Sequence, residues 1–140
     1  MSSDNSVSPR AARSVLCKLT NKTPFLIVYN HISTRLSHGI WTKQIFPFIP
    51  PQSESYQWGT ESNGFLTGTE GNAMFHILNE GPQLPPSNLM NGNMSVHWNN
   101  PYAGSNSYSS WVYNPSLFEI SYAGGGGDNS QVAFTIKYKN

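Results

Sequence analysis

The sequence predicts an all-β fold, a single-domain antiparallel β-sandwich, on three observations. Apolar and polar residues alternate in several short runs. Turn residues interrupt the chain every ~8–15 positions, and no stretch sustains a 3.6-residue period. β-branched, aromatic and turn residues are abundant while strong helix formers are scarce.

Taken in order, residues 1–13 read as a flexible tail, Ser-rich and with little to bury. The folded domain is expected over 14–140. Val15–Thr20 and Phe25–His31 are strand-like and flank a turn at Asn21-Lys22-Thr23-Pro24. Leu36–Thr42 follows, with Gly39 marking a bulge or close backbone approach. Ile45–Gln52 carries three prolines, which forbid a central strand and favour an extended edge or a loop. Ser55–Gly59, Gly64–Gly68 and Asn72–Leu78 are the next strand-like runs. Asn79–Asn93 is rich in Pro, Gly and Asn and predicts a long loop. Met94–Asn99 alternates, with Met94, Val96 and Trp98 on one face. Pro101–Pro115 predicts a second loop, loaded with Ser and Tyr. Leu117–Tyr122 alternates again, and Gly124–Asn129 connects it to Gln131–Tyr138, where Val132, Phe134, Ile136 and Tyr138 share a face.

The composition limits function. The 140 residues suit one domain large enough to bury a core without staples. Eight Lys and Arg oppose seven Asp and Glu, so the chain lacks the basic face that a nucleic-acid binder needs to displace counterions. Nineteen Ser and fifteen Asn supply the polarity instead. Such a surface hydrogen-bonds without a strong field, which suits neutral ligands, sugars or zwitterionic lipid headgroups. Cys17 is the single cysteine, so neither an internal disulfide nor a cysteine-based zinc site forms, and it reads as a small core residue. No apolar run approaches the ~18 residues of a membrane-spanning helix, and the opening residues carry no leader-like stretch. The chain is therefore expected to be soluble as made.

Catalytic chemistry is not evident. There is no G-x-S-x-G elbow, no H-E-x-x-H and no phosphate-binding loop, since no Gly-Lys-Ser/Thr follows Gly124–Gly127. His76 and His97 could meet across neighbouring strands, where hydrogen bonding is a simpler role than metal ligation. Glu61 and Glu70 could form a carboxylate pair, but they sit among glycines, where bracing a turn is the simpler role. No enzyme activity, cofactor or metal is expected.

Two segments are more specific: Glu61–Gly71 (ESNGFLTGTEG) and Trp98–Tyr108 (WNNPYAGSNSY). In this order and spacing they resemble the aegerolysin family, most closely the small subunit of two-component insecticidal crystal toxins. Leu19–Thr23, Gly39–Trp41 with Pro47, Leu117–Tyr122, the glycine hairpin and Gln131–Lys137 extend the likeness over about residues 14–138. The chain departs from that pattern by its near-neutral charge, the long 79–93 segment, and Trp98-Asn99-Asn100 where an aromatic-Asp-Asn is usual. The resemblance implies a non-enzymatic protein that binds membrane lipids, among them sphingolipid or sterol-containing membranes. It further implies a larger pore-forming protein as partner, and action outside the producing cell at target membranes.

The motif residues divide by chemistry. Gly64, Gly68 and Gly71 are expected to permit turns or bulges that a Cβ would obstruct. Asn99, Asn100 and Asn106 are expected to lock the Pro101–Ser105 loop through side-chain-to-backbone bonds. Glu70 can brace the glycine turn, and the resemblance also places it near lipid headgroups. Trp98, Tyr102, Tyr108 and Trp111, with Tyr113, crowd a stretch read mostly as loop, and such rings suit membrane interfaces. Trp98 also fits a core face. The candidate lipid-binding set is thus Glu70, Trp98, Tyr102, Tyr108 and Trp111. Aromatic rings among Ser and Asn equally suit a carbohydrate-binding, lectin-like surface, the alternative reading.

Overall fold

The computed structural model describes residues 11–78 and 90–139. Ten strands form two five-stranded sheets packed as a sandwich. One sheet holds β1 (Ser14–Lys22), β3 (Ile40–Lys43), β5 (Ser53–Glu61), β9 (Phe118–Gly124) and β10 (Asn129–Tyr138), in the order β3-β5-β1-β10-β9. The other holds β2 (Ile27–His38), β4 (Phe48–Ile49), β6 (Thr69–Leu78), β7 (Met90–Asn100) and β8 (Ser107–Val112), in the order β4-β2-β6-β7-β8. Among the described residues no helix is long and apolar enough to cross a membrane.

Alternation sets the inner faces, as expected for strands packed on one side. Cys17 and Leu19 of β1 and Val132, Phe134 and Ile136 of β10 meet Ala73, Phe75 and Ile77 of β6 and Met94, Val96 and Trp98 of β7 in one buried core. Its centre is aromatic. Trp58 lies 5.9 Å from Phe75 and 5.9 Å from Trp98, and Trp41 lies 6.1 Å from Trp98. Burial pushes the Cys17 thiol well above its ordinary value.

Several elements differ from the sequence expectation. β1 and β10 pair in parallel, Ser14 with Asn129 through Lys22 with Lys137, so the first sheet is mixed. These strands come from opposite ends of the chain, and no hairpin constrains their direction. The Phe25–His31 run and the start of the Leu36–Thr42 run join in a longer β2 with an irregularity between Asn30 and Arg35, while Ile40–Thr42 pass beyond Gly39 into β3 of the other sheet. There the Thr34 hydroxyl donates to the Asn30 carbonyl at 2.9 Å and accepts the Met74 N–H at 3.1 Å. Gly64–Gly68 is a turn rather than a strand. The Pro101–Pro115 loop contains β8, whose Tyr108, Ser110 and Val112 turn inward between exposed Ser107, Ser109 and Trp111. β7 starts at Met90, inside the expected 79–93 loop; residues 79–89 lie outside the described residues.

The expected tail also lies outside them up to residue 10, but Arg13 is firmly held. Its guanidinium donates to the Pro101 and Tyr102 carbonyls at 3.2 and 2.6 Å and sits 4.7 Å from the Tyr102 ring centroid. Arg13 thus ties the chain just ahead of β1 to the 101–106 loop.

Candidate functional site

Strand registers bring both sequence motifs to one end of the sandwich. His38 pairs with Glu70, Glu70 with Asn99, and Asn99 with Ser107 across β2, β6, β7 and β8. In the facing sheet Ser14 pairs with both Glu61 and Asn129 at the same end. The 62–68 turn, the 101–106 loop and the Gly124–Asp128 hairpin thus crowd together.

Close packing explains the glycines. A Cβ on Gly68 would come within 2.6 Å of the Asn100 carbonyl oxygen and 2.7 Å of the Pro101 Cα, both backbone atoms that cannot swing away. A Cβ on Gly71 would strike the Trp98 indole, which is why that ring lies flat beneath the end. Thr60 Oγ1 accepts the Trp98 Nε1–H at 3.0 Å and the Thr69 hydroxyl at 2.8 Å, completing a buried polar floor.

Asn100 and Asn106 act differently from expectation. Buried Asn100 donates from Nδ2 to the Ser14, Gly127 and Asp128 carbonyls at 3.0, 3.3 and 2.8 Å. Asn106 donates to the Gly125 and Gly127 carbonyls at 2.7 and 2.9 Å. Both clamp the glycine hairpin of the other sheet, rather than their own loop. Asn99 lines a cleft instead.

That cleft, of about 390 Å³, is lined by His38, Leu66–Glu70, Asn99, Pro101 and Tyr102. Residues from both motifs form it. Glu70 Oε2 lies 2.7 Å from His97 Nε2, a cross-strand pair that fixes the carboxylate. Its other oxygen has no partner among the described residues. On the rim, Phe65 is 88% exposed, Leu66 52% and Tyr102 40%. Leu66 also has φ 59°, a left-handed conformation that costs a β-carbon residue about 1–2 kcal/mol. An exposed apolar pair on a strained tip beside a polar cleft is poor design for stability alone.

The candidate aromatics separate. Trp98 is fully buried at 0% exposure, so it leaves the set of direct ligand contacts and becomes a core residue, its N–H satisfied by Thr60. Tyr108, expected to be exposed, is half-buried, with its hydroxyl 2.9 Å from the Gly125 carbonyl and 2.9 Å from Ser130 Oγ. Burial raises its phenol above the ordinary value. Trp111 is 50% exposed but sits four residues along β8 from Ser107, edge-on to Tyr113 at 6.3 Å. Only Glu70 and Tyr102 of the candidates line the motif cleft. Phe65 and Leu66 escaped the sequence reading; two apolar residues directly after a turn glycine were the available signal.

Other candidates dissolve. His97 sits opposite Asn72 while His76 sits opposite Asn93 and bonds its side chain at 3.3 Å, so the two histidines do not meet. Glu61 and Glu70 end on different sheets. Among the described residues no cluster of three His, Cys, Asp or Glu could hold a metal. A larger cleft of about 660 Å³ opens on the flank between residues 43–47 and 54–57, with Phe46 and Tyr56 at 5.8 Å, but neither motif reaches it.

No protein-family model matches the chain. An uncharacterized protein of Dictyostelium discoideum is 40% identical over 78 residues, which make up 56% of this chain but only 6% of that protein. Solved structures share the fold at low identity. The lipid binding protein Nakanori superposes with a TM-score of 0.71 at 12% identity, over 91% of this chain and 72% of its own. RahU, solved in complex with a TRIS molecule, gives 0.67 at 14% identity over 94% and 98%. IP-1A from Alcaligenes faecalis gives 0.61 at 19% identity over 94% and 95%. This shared sandwich is consistent with the fold that the aegerolysin resemblance implies.

Proposed function

We propose that this protein binds membrane lipids through the loop end of the sandwich, as the membrane-recognising half of a two-component pore-forming toxin. The observation that carries the reading is the Phe65–Leu66 tip, exposed and strained, beside a cleft that both motifs line. The tip would enter the headgroup layer, where apolar side chains leave water while the backbone stays solvated. Tyr102 would lie at the interface with its hydroxyl toward headgroups. The free oxygen of Glu70 would accept a hydroxyl or ammonium proton from the headgroup. A lipid-binding protein with the same fold supports this direction.

No Lys or Arg lines the motif cleft. Attraction to anionic lipid is therefore not what would hold the protein, and binding should change little between low and physiological salt. Strands in the described residues are all accounted for in the two sheets, so perforation would fall to the larger pore-forming partner. Sphingolipid or sterol-containing membranes at the surface of a target cell would be the site of action.

Sedimentation with vesicles tests this, using phosphatidylcholine with and without cholesterol, sphingomyelin and glycosylceramide. Wild type should bind at least one mixture without releasing entrapped dye. Phe65→Ser with Leu66→Ser should weaken that binding at least about tenfold, each side chain contributing on the order of 1 kcal/mol of apolar burial, with an unchanged melting temperature. Trp111→Ala should have a smaller effect. Undiminished binding by the double variant would remove the tip from the membrane contact.

A further inference from the structure

A second cleft, of about 540 Å³, opens on the other side of the 101–106 loop. It is lined by Gly104–Tyr108, Tyr122 and Gly124–Asp128. That volume falls within the roughly 300–1,000 Å³ typical of small-molecule sites. The proposed membrane contact at the Phe65–Leu66 tip makes no use of this cleft, and a ligand bound here would not require it.

We infer that this cleft is a binding site for a neutral sugar ring, a hexopyranose, stacked on Tyr122 and hydrogen-bonded by the Ser105–Ser107 wall. Tyr122 is 45% exposed and its ring is fixed from behind by Phe134 at 6.0 Å. Tyr108 meets it at 6.0 Å and 53°, forming an aromatic corner. A pyranose has one apolar C–H face that stacks on such a ring, and an equatorial rim of hydroxyls that both donate and accept.

The opposite wall supplies matching groups. Ser105 and Ser107 make no side-chain hydrogen bond among the described residues, so their hydroxyls are available. Asn106 has its Nδ2 committed to the Gly125 and Gly127 carbonyls, which prevents the amide from flipping and keeps Oδ1 an acceptor. Asp128 adds a carboxylate at the rim, a strong acceptor for sugar hydroxyls. Gly126 and Gly127 have open space where a Cβ would stand, so a ligand can approach the bare backbone.

Charge selects against the alternatives. A phosphate ligand would meet no Arg or Lys in this cleft and would face the Asp128 carboxylate at its rim. Arg13, the nearby cation, is occupied by the Pro101 and Tyr102 carbonyls and lies 3.7 Å from Asp128. That same contact offsets the negative charge a choline group would seek. Rings, amides, hydroxyls and one offset carboxylate suit a neutral polyhydroxylated ligand.

The full-length protein should be titrated with neutral methyl glycosides of glucose, galactose and mannose, and with phosphocholine, following amide and tyrosine NMR shifts. At least one glycoside should shift resonances of the Ser105–Ser107 and Gly124–Asp128 segments with millimolar affinity. Tyr122→Ala should weaken that binding at least about tenfold, Tyr122→Trp should keep it, and Ser107→Ala should weaken it less. Glycosylceramide vesicles and soluble oligosaccharides then distinguish a lipid-borne from a free sugar. Sugar binding with no vesicle binding would uphold this site and sink the membrane reading. Vesicle binding that is indifferent to both the glycosides and Tyr122→Ala would do the reverse. Stronger binding of phosphocholine than of every glycoside, or no glycoside response in a folded protein, would overturn the inference.

Discussion

The two ends of the sandwich are built on the same device and use it for different purposes. At each end a fully buried asparagine ties three backbone carbonyls. Asn100 holds Ser14, Gly127 and Asp128 at the loop end, while Asn21 holds Phe25, Ile49 and Pro50 at the other, at 2.9, 3.2 and 2.9 Å. What differs is where the apolar residues go. Around Asn21, Phe25 turns inward and packs on Phe118 and Tyr138 at 6.0 and 5.1 Å, and those two meet at 5.5 Å, with Phe48 beside Ile49 left 52% exposed. Around Asn100 the tip residues Phe65 and Leu66 face solvent. One end closes the core, and the other uses the same rigidity to present clefts and an apolar tip. A buried polar anchor is thus a neutral scaffold device, and the two ends differ in what they build upon it.

Deleting the anchors tests the contrast most severely. Asn21→Ala and Asn100→Ala should each leave buried carbonyls without a donor and cost about 2–4 kcal/mol in denaturant unfolding. Only Asn100→Ala should also impair ligand binding by the folded fraction. Equal binding losses in the two variants would erase the distinction between the ends.

Glycine substitutions probe the loop end more finely. Gly68→Ala should cost about 2–3 kcal/mol, because the methyl group meets fixed backbone. Gly126→Ala, with open space around it, should stay within about 0.5 kcal/mol of wild type. Similar losses at both sites would mean that the hairpin, not the contact with Asn100, governs tolerance.

Cys17, in the core between the ends, reports whether such variants fray locally or open globally. Its thiol pKa is raised by burial, so above the unfolded value of about 8.5 the unfolded chain binds fewer protons than the folded one. Stability is then fully present below that pH and falls as pH rises, by about 1.4 kcal/mol per unit at most. Replacing Cys17 with Ala should remove that slope while costing about 1 kcal/mol at neutral pH. A thiol reagent should label wild type only through global unfolding. Labelling of Gly68→Ala faster than its loss of global stability accounts for would show that damage at the loop end reaches the core locally. The serine substitutions at the Phe65–Leu66 tip should have the smallest effect on stability, near zero, and be visible only in binding.

Much of the sandwich was legible because alternation is a local property. The inner faces of β6, β7 and β10 follow from runs such as Val132, Phe134, Ile136, which read the same in any register. β8 was missed because Ser107, Ser109 and Ser110 weaken the contrast between its faces, although Tyr108 and Val112 keep the period. Trp98 could be placed in the core or at the surface from its neighbours, and only the packing of Trp58 and the hydroxyl of Thr60 decide for the core.

The sequence by itself determined an all-β chain, the turn glycines, the sparse charge that leaves the two loop-end clefts without Lys or Arg, and the two motifs that meet at that end. The tertiary structure alone decided that β1 and β10 run in parallel, that Asn100 and Asn106 clamp the opposite hairpin, and that Phe65 and Leu66 stand in solvent. The reason is physical. Periodicity and turn chemistry act between residues a few positions apart, whereas these outcomes depend on contacts between residues far apart in the chain, such as Ser14 with Asn129. No local pattern encodes which distant backbone carbonyl an asparagine will find, or whether a ring after a glycine will have another surface to cover it.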